Sequence, residues 1–310
     1  MRKPFRAGGV AVGALAVALS AGAFAFAPAS AAAPTVASSK VPGSIRPGTP
    51  LNAASPGARA AASAATAASF VTNLQAVNWA GYASSLGTTT FRFVSAHFTV
   101  PALDCTGVTA PNGAWAAHWV GLDGFRSTST TVEQTGVVEA CNGTTPVYAA
   151  FWEMFPNAPG YPSITVNPGD TISMSVFYNR STRKFSLTFS DTTNGQSFTR
   201  TRACPAGATC RRNSAEVISE APFDATSNSI LPLADFGTAS FANVAITNTS
   251  GTHRGGLQSS FWNTFRFTQV SDGTNTTVAG DPIPQGTVLD SPSALSQKVN
   301  FTDTWQAANG

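Results

Sequence analysis

Glutamate is scarce in this chain, and its few copies stand in surroundings that tend to bury them. The 310 residues hold five: Glu133, Glu139, Glu153, Glu216 and Glu220. Three of them lie in strand-like segments rich in aromatic or β-branched residues, which favour burial and a carboxyl pKa above the usual value of about 4.3. Such a carboxyl group is a candidate for acid–base chemistry, whereas a glutamate on the polar face of a surface strand would have no chemical role.

Spacing narrows these candidates without choosing between two of them. In AEVISE, Ala215–Glu220, two acids stand four residues apart, so Glu216 and Glu220 face the same side of a strand. In TVEQTG, Glu133 and Gln134 point to opposite faces. At this level either acid of AEVISE is the candidate.

Aromatic residues surround a third acid. In FWEMF, Glu153 shares a strand face with Phe151 and Phe155. An acid flanked by aromatic rings suits a cleft that holds a polymer. The alternative is a half-buried strand that carries one awkward carboxyl group.

Motifs of other catalytic classes are missing from the sequence. It contains no G-x-S-x-G nucleophile motif, no H-E-x-x-H, no glycine-rich nucleotide loop and no Asp-Thr-Gly or Asp-Ser-Gly. The three histidines, His97, His118 and His253, have no metal-ligand spacing and give a serine triad no support. We therefore expect neither a metal nor a cofactor.

Seven short motifs occur in an order that matches a known family. They are NWAG at Asn78–Gly81, HWVGLDG at His118–Gly124, QTG at Gln134–Gly136, WE at Trp152–Glu153, PGD at Pro168–Asp170, AEVISE at Ala215–Glu220 and ADFGTASF at Ala234–Phe241. Over most of residues 75–267 the chain resembles the glutamic peptidases, or eqolisins. The resemblance implies a sandwich of two large antiparallel sheets. It also implies a secreted enzyme made with a propeptide, which cleaves polypeptides at acid pH and resists pepstatin.

The same resemblance assigns roles to individual residues. It implies that Gln134 and Glu220 are catalytic: Glu220 acts on water as general base and then as general acid, while the Gln134 amide stabilises the oxyanion. Trp119 and Asp123 match the segment that borders the family's cleft, and Glu153 matches an acid beside it. The residues on either side of this acid, Phe151 and Phe155, are predicted to contact substrate. They stand where the family often has Trp and Tyr, which leaves the side-chain preference open.

Two other functions remain as alternatives at this level. A glycoside hydrolase on a jelly-roll sandwich would use Glu153 and Glu220 as its carboxylate pair. A non-catalytic carbohydrate-binding module would use tryptophans such as Trp115 and Trp119 as stacking platforms. Replacing Gln134 distinguishes the glycoside hydrolase from the peptidase, because a glycosidase would not need the Gln134 amide.

The elements that must position these residues are predicted to be β-strands. Short alternating runs bounded by Gly, Pro, Asn and Asp recur through the body of the chain, which predicts an all-β fold, either a sandwich or a barrel. The resemblance to the glutamic peptidases favours the sandwich, of jelly-roll or concanavalin-like type. The runs are Phe91–Val100, Thr171–Tyr178, Lys184–Ser190, Gln196–Arg202 and Phe261–Gln269, with a last strand at Gln297–Trp305. We assign residues 71–310 to this one domain.

The first 70 residues differ from this body in composition. Residues 1–31 show a short basic start, an apolar run and a small-residue cleavage site, as a secretory signal peptide does. Residues 32–70 are rich in Ala, Ser, Pro and Thr and are predicted to be a largely disordered propeptide or linker. Residues 1–70 carry six basic and no acidic side chains, whereas the rest carries 12 basic and 15 acidic ones. This contrast suggests a propeptide that inhibits the body of the chain.

Cysteine content and charge agree with export. The four cysteines predict two sequential disulfides, Cys105–Cys141 and Cys204–Cys210. The mildly acidic body gives no electrostatic basis for binding nucleic acid. We expect a secreted, extracellular monomer that has no membrane partner after signal removal.

Overall fold

A computed structural model describes residues 41, 44–47, 71–110 and 113–306 of the chain. The predicted signal peptide, residues 1–31, lies outside the described residues, and so does most of the predicted propeptide. All described residues belong to one unit of the chain. Their regular structure is β-strand, and no helix among them is long and apolar enough to cross a membrane.

Strands of very different length make up this structure. They are β1 (Ile45–Arg46), β2 (Val71–Ala76), β3 (Trp79–Ser85), β4 (Phe91–Thr99), β5 (Ala114–Leu122), β6 (Val132–Asn142), β7 (Thr145–Phe155), β8 (Thr171–Asn179), β9 (Lys184–Asp191), β10 (Ser197–Ala203), β11 (Ala215–Glu220), β12 (Phe223–Asp224), β13 (Ser229–Ile230), β14 (Thr238–Asn248), β15 (Arg254–Gly255), β16 (Asn263–Val270), β17 (Val288–Pro292) and β18 (Phe301–Trp305).

The predicted all-β sandwich is confirmed. One layer contains β3, β11, β5, β6 and β7, and it packs against a second layer of β10, β9, β8, β4 and β14. The strands β16, β17 and β18 pair with both layers and join them into one continuous hydrogen-bonded ladder. Pairing is antiparallel throughout this ladder, and β2 adds to it in parallel beside β16.

Two apolar clusters lie on opposite sides of the first layer. The interior cluster, between the two layers, includes Val120 and Val217 of the first layer and Phe98 of the second. The other cluster lies on the face turned away from the second layer, which we call the outer face, and includes Trp119 and Ile218. Because β5, β6 and β11 are covered on both sides, their sequences show little alternation of apolar and polar residues.

Strand ends differ from the sequence prediction at two places near the C-terminus. The predicted run Phe261–Gln269 becomes a strand only from Asn263, because the preceding Trp262 turns to donate its indole N–H to the Leu257 carbonyl. The last strand begins at Phe301, since Gln297 and Lys298 adopt positive φ angles of 50° and 66° in a turn.

Both predicted disulfides are confirmed. Cys105 bonds to Cys141 at the end of β6, and Cys204 bonds to Cys210 in the loop before β11. The first closes a loop across 36 positions and the second a loop across 6. A longer closed loop restricts the unfolded chain more strongly, so we expect the first bond to contribute more to stability.

A short segment of the predicted propeptide also takes part in the fold. Ser44–Pro47 contributes strand β1, which pairs antiparallel with β12 in a small three-stranded sheet with β13. Strand β12 begins three residues after Glu220, the last residue of β11. This segment therefore lies beside the predicted catalytic glutamate.

Candidate active site

The outer face of the first layer carries the predicted catalytic side chains. On β6, Gln134 pairs with Gly121 of β5 on one side and with Glu153 of β7 on the other. On β11, Glu220 pairs with Ala117, which shares its strand face with Gly121. Since side chains alternate along a strand, Gln134, Glu153 and Glu220 all project to the outer face.

The Glu220 carboxylate is held by two nitrogen donors. Asn78 Nδ2 donates to Oε1 at 3.1 Å, and Trp119 Nε1 donates to Oε2 at 2.9 Å. Glu220 and both donors have no exposed surface. An ionised carboxylate only accepts hydrogen bonds, so these partners suit the charged form that a general base requires.

The Gln134 amide is oriented by a neighbouring acid. Its Nε2 donates to Glu153 Oε2 at 2.9 Å and to the carbonyl oxygen of Pro47. Its Oε1 is buried and has no hydrogen-bond partner among the described residues. The side chain thus presents a fixed donor and an acceptor that is available to a water molecule or a substrate.

Burial raises the pKa of Glu153 well above its usual range. The positive charge of Arg46 opposes this rise, the charge of Glu220 adds to it, and the hydrogen bond from Gln134 opposes it. Two acids that repel each other do not both carry a charge readily in a buried site. We assign the neutral form to Glu153 and the charged form to Glu220, whose two donors favour it.

Glycines let the Trp119 indole lie flat on the sheet. A Cβ on Gly121 would lie 2.9 Å from Cζ3 of this ring, and one on Gly136 would lie 2.7 Å from its Cβ and 2.1 Å from the His118 carbonyl oxygen. Trp79 packs edge-on against the indole with ring centroids 5.1 Å apart. The ring is therefore fixed in the orientation that directs its N–H at Glu220.

The other residues predicted to contact substrate lie in different surroundings. Asp123 is fully buried at the end of β5 and accepts from the backbone N–H groups of Arg212 at 2.6 Å and Asn213 at 3.0 Å. These contacts hold the loop that leads into β11. Phe151 is fully buried in the outer-face cluster, and Phe155 is partly exposed beside that cluster.

A second polar network lies on the interior face of the same strands. Ser219 donates to Asp303 at 2.7 Å and lies 2.9 Å from His118 Nδ1, while His118 Nε2 is 3.7 Å from Glu139. All four residues have no exposed surface. This is not the arrangement of a serine hydrolase, because the hydroxyl donates to Asp303 rather than to the histidine.

Sequence reasoning missed several partners of the site. Asn78 belongs to the NWAG motif, and that motif was the available signal for its role. Arg46 and Pro47 carried no signal, because they lie in a low-complexity segment that shows no strand pattern. Within the described ranges, no group of three or more His, Cys, Asp or Glu side chains is arranged to hold a metal ion.

Fold and site together define the class. This is a β-sandwich protein with a carboxylate and a carboxamide on the outer face of one layer, and that is the arrangement implied by the resemblance to glutamic peptidases. The model of the Peptidase A4 family matches residues 77–282, and the chain belongs to this family.

Individual relatives support the assignment. The chain is 30% identical over 192 residues to aspergillopepsin-2 of Aspergillus niger. This alignment covers 56% of this chain and 66% of the relative, slightly less than two thirds of the relative's length. Aspergilloglutamic peptidase from Aspergillus niger is similar in structure, with a TM-score of 0.50, 28% identity, and coverage of 62% of this chain and 99% of that chain. Scytalido-glutamic peptidase, solved with a transition state analog inhibitor, has the same fold, with a TM-score of 0.58 at 23% identity over 74% of this chain and 98% of that chain.

Proposed function

We propose that this protein is an acid endopeptidase of the glutamic type, with Gln134 and Glu220 as its catalytic residues. The observation that carries the proposal is the placement of these two side chains on one face, each held by buried partners that match its role. Membership of the Peptidase A4 family and the similarity to aspergillopepsin-2 support peptide-bond hydrolysis over the action of a glycosidase or a binding module.

The reaction needs one water molecule and two proton transfers. Ionised Glu220 takes a proton from water as the water oxygen attacks the peptide carbonyl carbon. Gln134 Nε2 donates to the carbonyl oxygen as it becomes negative in the tetrahedral intermediate. Protonated Glu220 then gives its proton to the leaving nitrogen, the C–N bond breaks, and the glutamate is ionised again. No step calls on a metal or a cofactor.

The remaining site residues serve these two. Trp119 and Asn78 keep Glu220 ionised and fix its orientation, and Glu153 holds the Gln134 amide in place. Substrate side chains contact Trp119, Phe151 and Phe155 beside the catalytic pair. Asp123 supports the site indirectly, because it holds the loop at Arg212 and Asn213 that leads into β11.

Export and processing belong to the same proposal. Residues 1–31 act as a signal peptide and direct a secreted, monomeric enzyme outside the cell. Residues 32–70 are a propeptide that blocks the site until it is removed. The support is the contact of Pro47 with Gln134 and the basic character of the first 70 residues.

The test compares two isosteric substitutions in AEVISE. We expect Glu220→Gln to lower kcat/KM on denatured casein between pH 2 and 6 by about 10³- to 10⁴-fold, because it removes the general base. Glu216→Gln is the matched control: this acid lies on the same strand and the same face, and burial raises its pKa well above the usual range, so an amide resembles its neutral form. Pepstatin is present throughout.

Two results would contradict the proposal. One is casein cleavage by Glu220→Gln at the wild-type rate. The other is a wild-type enzyme, freed of residues 1–70, that folds but does not cleave casein anywhere in this pH range.

A further inference from the structure

The charged side chains of the body of the chain are sorted between the two ends of the sandwich. Residues 71–310 hold 12 basic and 15 acidic side chains, all of them within the described residues. Nine of the basic ones lie in, or within two residues of, the connections β3–β4, β5–β6, β8–β9, β10–β11 and β14–β15. We call these five connections the basic end. Six of its cations are exposed, namely Arg180, Arg183, Lys184, Arg202, Arg211 and Arg254.

Backbone contacts bring the five connections onto one surface. The N–H of Phe91, at the start of β4, donates to the carbonyl oxygen of Arg212 at 2.7 Å, and the N–H of Arg212 donates to Asp123, just after β5, at 2.6 Å. The loop from β10 to β11 therefore contacts both layers. Lys184 pairs with Ala203, which places the β8–β9 turn beside the end of β10. The end of β14 pairs with the start of β4, so the β14–β15 connection lies at the same end.

Accessible acids lie at the opposite end of the sandwich. Four acids of residues 71–310 are exposed or partly exposed, in loops that precede β5 and β14 or follow β16: Asp104, Asp235, Asp272 and Asp281. The acids within two residues of the five connections are Asp123, Glu133 and Glu216, and none of them has exposed surface. Burial raises the pKa of Glu133 and Glu216 well above the usual range, so these two are neutral at acid pH. The cations of the basic end therefore have no accessible acid among them.

The chemistry of these cations favours phosphate as the partner group. Eight of the nine are arginine, whose guanidinium group binds phosphate oxygens through two N–H groups at once and is always charged. Two of them are held over aromatic rings: Arg212 Cζ lies 3.9 Å from the Tyr178 ring centroid, and Arg202 Cζ lies 4.5 Å from that of Trp152. Carboxylates lose their charge near pH 4, whereas a phosphodiester stays ionised. This preference for phosphate rests on the proposed activity at acid pH, and the basic end itself does not.

The same contacts argue against a nucleic acid as the partner. Proteins that hold single strands stack the bases on aromatic side chains, and here arginines cover the rings of Trp152 and Tyr178. The cations lie on turns of two layers, and packed sheets are about 10 Å apart. A flexible chain can follow cations on both layers, which a straight duplex cannot do.

We propose that the basic end binds a flexible polymer of phosphodiesters, such as a polyol phosphate, and holds the secreted enzyme on a surface that carries this polymer. The proposed catalytic side chains of Gln134 and Glu220 project to the outer face of the first layer and not to this end of the sandwich. A bound polymer therefore leaves the way to the catalytic pair open.

The experiment measures binding of labelled poly(glycerol phosphate) to the full secreted chain at pH 4, by fluorescence anisotropy over a series of salt concentrations. We expect log Kd to rise linearly with the logarithm of the salt concentration, because binding releases counterions from the polymer. Lys184→Gln should lower this slope by about 0.7, the value for one charge on a flexible strand. Lys298→Gln is the matched control: these are the two lysines of residues 71–310 and both are exposed, but Lys298 lies in a turn before β18.

Further variants separate charge from folding. Arg180→Gln, Arg183→Gln and Lys184→Gln combined should raise Kd about 10- to 100-fold. Lys184→Arg keeps the charge and should bind as the wild type does. All three side chains are exposed at the β8–β9 turn, so thermal unfolding and casein cleavage should stay at wild-type values. The basic residues of positions 1–70 are the same in every variant and do not contribute to the differences.

Three results would overturn the inference. They are a wild-type chain that does not bind the polymer, a loss of binding in Lys298→Gln equal to that in Lys184→Gln, and tighter binding of duplex DNA of equal charge. Casein cleavage is measured in separate samples. Failure to cleave casein would contradict the peptidase proposal and leave the binding of the polymer unaffected.

Discussion

The two faces of strand β11 place neighbouring residues in two different polar networks. Glu220 projects to the outer face and accepts from Asn78 and Trp119, and strand β12, which follows it, pairs with a segment of the chain that lies outside residues 71–310. Ser219, one residue earlier, projects to the interior and bonds within the sandwich. Both networks are fully buried and both contain acids with raised pKa values.

The difference lies in what covers each network. The interior network is enclosed by two layers of the same domain, so it can open only if the domain unfolds. The outer network is covered in part by Ser44–Pro47, a segment that lies outside the domain of residues 71–310. Burial of polar groups alone therefore does not identify a functional site in this protein. The two networks are distinguished by the part of the chain that covers them.

The largest expected effects come from one substitution in each network: the one in the outer network should reduce activity, and the one in the interior network should reduce stability. Gln134→Ala should lower kcat/KM on casein by about 10²- to 10³-fold, the usual cost of removing one oxyanion donor. Ser219→Ala should keep kcat/KM within a few-fold of wild type. It should lower the free energy of unfolding by about 1–3 kcal/mol, because it removes the hydroxyl group that meets Asp303 Oδ2 and His118 Nδ1 in the interior. Steady-state kinetics and denaturant unfolding at acid pH measure the two effects.

The comparison would fail if the two substitutions had the same profile. Loss of activity in Ser219→Ala with unchanged stability would make the interior network catalytic. Stability loss in Gln134→Ala as large as in Ser219→Ala would make the outer network structural.

A smaller effect tests the indole hydrogen bond on the outer face. Trp119→Phe removes the donor to Glu220 and should lower kcat/KM by about 10- to 100-fold, the value of one hydrogen bond to a charged group of about 1.5–3 kcal/mol. Trp79→Phe is the control: its Nε1 has no hydrogen-bond partner among the described residues, so the change costs packing only. Activity of Trp79→Phe should stay within about threefold of wild type. Equal losses in both variants would show that packing, and not the N–H, matters.

The interior network predicts how stability depends on pH. Burial raises the pKa of Asp303 to about 7, and burial followed by the charge of Asp303 raises that of Asp290 well above its usual range. An acid whose folded pKa is raised contributes stability below its unfolded pKa, near 3.9, and loses it as the pH rises through the folded value. We expect the free energy of unfolding to fall between about pH 4 and pH 7.

Denaturant unfolding at several pH values measures this decline, and Asp303→Asn is the informative variant. Because asparagine stays neutral, this variant should show a smaller decline with pH than the wild type. Stability that rises toward neutral pH would contradict the assignment of raised pKa values to these acids.

Sequence alone went furthest where chemistry depends on short motifs. The motifs QTG and AEVISE placed Gln134 and Glu220 by resemblance, and the two-residue period of a strand placed Glu153 with its aromatic neighbours. Four cysteines gave both disulfides, and the alternating runs gave β4, β8, β9 and β10 of the second layer but not β14. These features are local, or they follow from the simple pairing of a few residues.

Contacts between positions far apart in the sequence could not be predicted from local patterns. Gln134 meets Pro47 across 87 positions, and Ser219 meets Asp303 across 84. No pattern within either segment marks its partner. The continuous ladder through β16, β17 and β18 and the parallel addition of β2 belong to the same category.

The sequence by itself determined the all-β architecture, the disulfides and the two residues proposed to carry catalysis, because strand period, cysteine pairing and motif order are written in the chain. Only the tertiary structure decided that Glu153 holds the Gln134 amide and that Asp123 supports a loop. It alone placed Pro47 on the proposed oxyanion donor. These facts depend on which strands become neighbours, and that is settled by the burial of both faces of the first layer rather than by any one segment.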